Sequence, residues 1–135
     1  MKFLKIASTT AVATLFASAA VADIKVGFIG SLSSDTGLST LRGAEIAIEE
    51  LNAAGGVMDG QKITLIKADT GEDVTEGIKA YEYLAESEEV DFIISGSIDD
   101  VSLGWLPRMQ EFRIPTLDTW TSYICLLYTS PSPRD

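Results

Sequence analysis

The chain has 135 residues, 46% of them apolar and 22% charged, which is globular composition and excludes a disordered tail or a collagen-like fibre. Ten basic against twenty acidic residues give a formal charge of −10, which argues against a duplex-binding surface, so no nucleic-acid partner is expected. Histidine is absent and Cys125 is the single cysteine, which removes Ser-His-Asp hydrolases, zinc enzymes and an intrachain disulfide; no metal and no cofactor are expected.

Met1 to Lys5 carries two lysines, Ile6 to Phe16 is largely apolar, and small residues run to Ala20-Val21-Ala22 ahead of Asp23. This is the layout of a Sec-type signal peptide over residues 1–22. The apolar stretch falls short of the ~20 residues a bilayer span needs, and Thr9, Thr10 and Thr14 interrupt it. The mature chain is therefore expected to be exported, soluble and periplasmic. Without Lys2, Lys5, Arg134 and Asp135 its balance is seven basic to nineteen acidic, or −12.

Ile24 to Ile29 is a short β-branched run ending at Gly30, the pattern of a buried parallel strand. From Leu41 the spacing becomes helical, with Leu41, Ala44, Ile48 and Leu51 on one face and Gly55-Gly56 as the stop. A turn at Met58-Asp59-Gly60 leads to a second strand, Lys62 to Ala68. Asp73 followed by Glu76 is a capping-box pattern that opens a helix to about Glu86, with Val74, Ile78, Tyr81 and Ala85 on one face. Val90 to Ser95 reads as the third strand, Val101 to Phe112 as a third helix bent at Pro107, and Ile114 to Leu117 as the fourth strand. Strands alternating with helices give an α/β fold, a parallel sheet of βαβ units. The final stretch, Cys125 to Asp135, continues no periodic element. Its eleven residues, CLLYTSPSPRD, match the in-frame translation of a transposase-type sequencing adapter, so residues 125–135 are expected to be foreign and the protein's own chain to continue past Ile124.

Parallel sheets bind ligands outside the carboxyl ends of their strands, here Gly30–Leu38, Asp69–Asp73, Gly96–Asp100 and Asp118–Ser122. The first loop, GSLSSDTG, has neither a dinucleotide nor a phosphate-loop pattern and no lysine. It reads either as a connecting turn or as a polar, ligand-facing loop. In the third loop, GSIDD, Asp99 or Asp100 either caps the following helix or turns a carboxylate to the cleft. Trp120 in the fourth loop serves equally well as core filling or as an indole packed on a ligand, with the hydroxyls of Thr119, Thr121 and Ser122 beside it. Trp105, in mid-helix, reads as core. The candidate ligand-binding residues are Ser97, Asp99, Asp100, Trp120 and Ser122, and no residue is assigned to catalysis.

Several segments carry a resemblance beyond fold class: IKVGFIGSLS from Ile24, RGAEIAIEELNAAGGV from Arg42, DGQKITLIKADT from Asp59, VDFIISG from Val90 and RIPTLDTWTS from Arg113. They resemble the opening of the leucine/isoleucine/valine-type periplasmic binding proteins, the substrate-binding subunits of ABC importers, with RGAEIAIEELNAAGGV the most specific part. The resemblance covers residues 23–124 and implies part of the N-terminal lobe of a type I periplasmic-binding fold. It also implies a second lobe, a hinge, a small-molecule solute and, for the full-length protein, an ABC transporter membrane permease as partner. In relatives that bind aliphatic amino acids, a hydroxyl in the third loop and backbone amides plus a hydroxyl in the fourth hold the α-carboxylate and amine. Those positions fall here on Asp100, Trp120 and Ser122. Ser122 fits, whereas Asp100 would repel a ligand carboxylate by on the order of 1–4 kcal/mol at ~4 Å. An amide, urea-like or cationic solute is thus as good a match as leucine. Two other classes compete: the extracytoplasmic ligand-sensing domain of a signalling receptor or regulator, and a flavodoxin-like enzyme, which the missing histidine, missing phosphate loop and export signal disfavour. Residues 23–124 alone are expected to bind no solute with useful affinity, because the opposing wall of the cleft lies outside them.

Overall fold

A computed structural model describes residues 22–121. The signal-peptide assignment, apart from residue 22, and the whole adapter assignment lie outside the described residues. In chain order the elements are β1 (Ile24–Gly30), α1 (Asp35–Ala53), β2 (Ile63–Asp69), α2 (Val74–Glu82) continued by a π-helical turn (Tyr83–Ser87), β3 (Phe92–Gly96), α3 (Asp99–Phe112) and β4 (Thr116–Asp118). The four strands form one sheet in the order β2-β1-β3-β4, and every pairing is parallel. The alternating pattern anticipates this α/β architecture, a parallel sheet of βαβ units, with strand limits displaced by one or two residues.

Period-two alternation splits the sheet between two layers. Ile29, Ala68 and Ile93 are buried against Tyr81, Leu84, Val101 and Trp105 from α2, the π turn and α3. The Tyr81 and Trp105 rings stack with centroids 6.3 Å apart. Gly77 lets α2 and α3 meet: a Cβ there would lie 2.7 Å from Val101 Cγ1. On the opposite face Phe28 is fully buried, and a Cβ at Gly96 would strike both its ring and Thr40 of α1. Trp105 is core, as its position in mid-helix suggests.

Several local expectations are corrected. Helix α1 starts six residues before Leu41, because the hydroxyl-rich stretch that reads as loop contains its cap: Ser34 Oγ accepts the Gly37 amide at 3.3 Å. Leu51 is 43% exposed and so leaves the buried face. At the end of α1, Gly55 and Gly56 have φ of 116° and 96°, and the Gly56 amide returns to Leu51 O at 2.9 Å. Asn52 then pairs with the start of β2, its side-chain amide both donating to Ile63 O and accepting from Ile63 N at 2.8 Å. The Asp73 box is half made: Asp73 Oδ1 accepts the Glu76 amide, while the Glu76 carboxylate goes to Lys79 Nζ. Val74 is exposed, and the π turn brings Leu84 inward instead. Helix α3 starts two residues earlier than its periodicity suggests and runs through Pro107; its capping position is Ile98, with no side-chain cap, so neither Asp99 nor Asp100 is the cap.

A Cβ at Gly37 would lie 1.9 Å from the Ser31 carbonyl oxygen, whereas one at Gly43 meets nothing within 4 Å. Gly37→Ala should cost about 3 kcal/mol of stability in urea unfolding, and Gly43→Ala, in mid-helix, should add about 0.5–1 kcal/mol. Burial raises the Tyr81 hydroxyl above its usual pKa, and no hydrogen-bond partner reaches it among the described residues. Since the neutral phenol is favoured in the folded chain, its contribution is complete below about pH 10 and is lost as pH rises through the raised value. Tyr81→Phe should lose less stability than the parent between about pH 9 and 11, read by denaturant midpoints.

Candidate functional site

The parallel register brings the four carboxyl ends of the strands together: Gly30 pairs with both Asp69 and Gly96, and Ser95 pairs with Asp118. Four short loops leave this edge. Their geometry is fixed by side chains that satisfy loop amides, as buried turns require.

Loops one and two are joined through Asp69, whose Oδ1 accepts the amides of Leu32 and Gly71, both at 3.0 Å. Ser31 is buried, and its Oγ accepts the Ser34 amide at 3.2 Å, which folds the loop into the start of α1. Of the stretch Gly30–Leu38, only residues 31–34 lie between β1 and α1. Its hydroxyls serve loop and cap geometry to that extent.

In the third loop Ser97 is buried; its Oγ donates to Ile29 O at 3.4 Å and its amide to Ser95 Oγ at 3.3 Å. It braces the loop from behind. Asp99 and Asp100 occupy the first turn of α3, where negative charge meets the positive end of the helix dipole; Asp99 is half-buried and Asp100 exposed.

The fourth loop holds the most distinctive arrangement. Trp120 is 53% exposed, so it does not fill the core, and its Nε1–H donates to Thr40 Oγ1 of α1 at 2.9 Å. Thr119 reinforces the link, with its hydroxyl 3.2 Å from Thr40 Oγ1 and 2.8 Å from the Ser95 carbonyl oxygen. The backbone amides of Trp120 and Thr121 both donate to Asp118 Oδ1 at 3.1 Å. The Trp120 amide is thus engaged within the chain. Ser122 lies outside the described residues.

The structure therefore brings Asp99, Asp100 and Trp120 to one edge with Ser97 beneath them. Sequence reasoning missed Thr40 and Asp118. Thr40 lies within α1, 80 positions from its partner, and no spacing rule reaches that far. Asp118 was visible only as the start of a loop. None of the short connections at this edge, residues 31–34, 70–73, 97–98 and 119–121, contains Lys or Arg. Among the described residues no group of carboxylates is arranged to hold a metal ion, and no helix is long and apolar enough to cross a membrane.

Comparison with known proteins agrees with this architecture. The family model described as "Periplasmic binding protein" matches residues 23–133. Leu/Ile/Val-binding protein homolog 3 of Brucella melitensis is 40% identical over 82 residues, covering 57% of this chain and 22% of its own length. The branched-chain amino acid transporter substrate binding protein LivJ from Streptococcus pneumoniae, solved with isoleucine, superposes with a TM-score of 0.68 at 22% identity, over 73% of this chain and 29% of its own. A solute binding protein of an ABC transporter from Rhodopseudomonas palustris, solved with 3,4-dihydroxybenzoic acid, gives 0.61 at 21% identity over 73% and 27%. The chain thus spans about a fifth of the curated relative and under a third of the solved ones. At these identities the solved structures speak for the fold alone.

Thr40→Val keeps the shape of the side chain and removes the acceptor for the indole. It should leave the fold intact, with at most about 1 kcal/mol lost, while making Trp120 more accessible to iodide quenching than in the parent. Trp105, buried at 1% exposure, supplies the protected reference signal.

Proposed function

The chain belongs to the periplasmic binding protein family, and on that premise we propose that it forms one wall of an extracytoplasmic solute cleft in the substrate-binding subunit of an ABC importer. The solute is an amino acid or a related small polar molecule, an amide or urea-like compound included. The observation that carries this reading is the half-exposed indole of Trp120, tied to Thr40 at the carboxyl edge of the sheet that also carries the acidic first turn of α3.

An anchored indole offers a flat apolar face for an aliphatic or planar group without having to order a mobile side chain first. Asp99 and Asp100 favour an N–H or ammonium group in that neighbourhood and disfavour a carboxylate. The commitment of the Trp120 amide to Asp118 supports the same preference, since that donor is already paired. Ser97 supports the loop from within, and Ser122, two positions after Trp120 in the sequence, is assigned to the solute as a further hydroxyl. Affinity comes from closure of a second lobe over the solute, so the activity is binding followed by delivery to a membrane permease, with no bond made or broken. The two solved relatives were solved with an aliphatic amino acid and an aromatic acid, so the fold by itself does not set the preference.

Calorimetric titration of the full-length protein carrying these residues, with leucine, a small amide and urea, tests the reading. At least one should bind at micromolar concentration or tighter. Trp120→Ala should weaken that binding by about tenfold or more in a protein that still unfolds cooperatively. Asp100→Asn should weaken a solute that presents N–H groups and strengthen one that presents a carboxylate, by several-fold each way. Absence of binding by every small polar solute tried would overturn the proposal.

A further inference from the structure

Asp118 is the last residue of β4 and its carboxylate is buried, at 7% exposure. Each oxygen has two partners. Oδ2 accepts from Ser102 Oγ of α3 at 2.7 Å and from Ser95 Oγ of β3 at 3.1 Å. Oδ1 accepts the backbone amides of Trp120 and Thr121. None of the ion pairs formed among the described residues includes Asp118, so these four uncharged donors are what compensate its burial. The remaining ties of the loop run elsewhere: the Thr119 amide and hydroxyl go to the Ser95 carbonyl oxygen, and the indole goes to Thr40.

We propose that Asp118 is a positioning residue for the solute site: its carboxylate locks the Trp120 loop to β3 and to the first turns of α3, so that the indole and the acidic helix end are presented as one preformed unit. Resting on the solute-binding role above, this adds the source of its order. Two loops that leave different strands would otherwise each have to be fixed when solute arrives, and joining them beforehand removes that cost from binding. The serines are suited to the task. Each is buried, each sits on a regular element, and neither hydroxyl carries a charge that would compete for the carboxylate.

Amide hydrogen exchange on the full-length protein provides the test, because it reads the loop without solute. Asp118→Ala should speed exchange of the Trp120 and Thr121 amides at least tenfold, leaving the Phe28 amide in the central strand protected as before. Asp118→Asn keeps an oxygen for the two amides and can turn its NH2 to the serine oxygens, so it should restore exchange to within about threefold of the parent. Solute affinity should follow the same order, reduced at least tenfold in the first variant and nearly intact in the second. Unchanged Trp120 and Thr121 exchange in a folded Asp118→Ala variant would overturn the proposal, as would Asp118→Asn exchanging as fast as Asp118→Ala. If Asp118→Ala does not fold, Ser102→Ala decides: exchange at both amides rising threefold or more supports the proposal, and no change overturns it. Should the parent bind no solute at all, the transport reading fails while the exchange result still judges Asp118.

Discussion

Pairing of β1 with a parallel strand on each side is the constraint from which the rest of the structure follows. A central parallel strand must be covered on both faces, and β1 is: Phe28 lies under α1 and Ile29 under α2 and α3, with neither side chain exposed. Parallel pairing also forbids hairpins, so each strand needs a helix to carry the chain back. All four strands then finish at the same edge, and every loop there inherits a neighbour from another part of the sequence. The gathering of the loops at that edge is a consequence of how the strands are paired before any one residue is considered.

Much of this was legible in the sequence because its signals are periodic or local. The β-branched runs around Ile24, Ile63 and Phe92 mark strands whatever lies next to them, and Gly55-Gly56 marks a helix end. The errors came where one composition serves two purposes. SLSSDTG contains the residues of a polar loop and also those of a helix cap, and only the 3.3 Å bond from the Gly37 amide to Ser34 Oγ distinguishes them. For Asp99 and Asp100 the sequence fits a cap and a cleft-facing carboxylate alike, and the entry of the chain into α3 through Ile98 excludes the cap. For Trp120 the choice between core and surface depended on a threonine 80 positions away. Partnerships of that length leave no trace in spacing; the partners of Asp118 are nearer, 2, 3, 16 and 23 positions away, yet only the parallel fold brings Ser95 and Ser102 to its carboxylate.

The edge is organised by acceptors that serve the backbone. Asp69 holds the first two loops, Asp118 holds the fourth, and Ser31 and Ser95 fill the remaining gaps. Carboxylates in such positions are easily mistaken for ligand contacts, because they lie at the right end of the right strands. Their bonds point inward instead. Asp100 and Asp35 differ from them, each exposed and in the first turn of a helix that starts at this edge.

Asn52 gives the sheet a direction. Its side-chain amide occupies the Ile63 peptide in the manner of a neighbouring strand, making both bonds that an incoming backbone would need at that rung. Further along β2, Lys67 and Glu45 join in an ion pair that adds charge to the same flank. At the other flank β4 is three residues long, with Leu117 half exposed. A foreign β-segment seeking a template at that rung of β2 finds the backbone groups it would need already taken, so the Asn52 side chain guards the strand against illegitimate addition there.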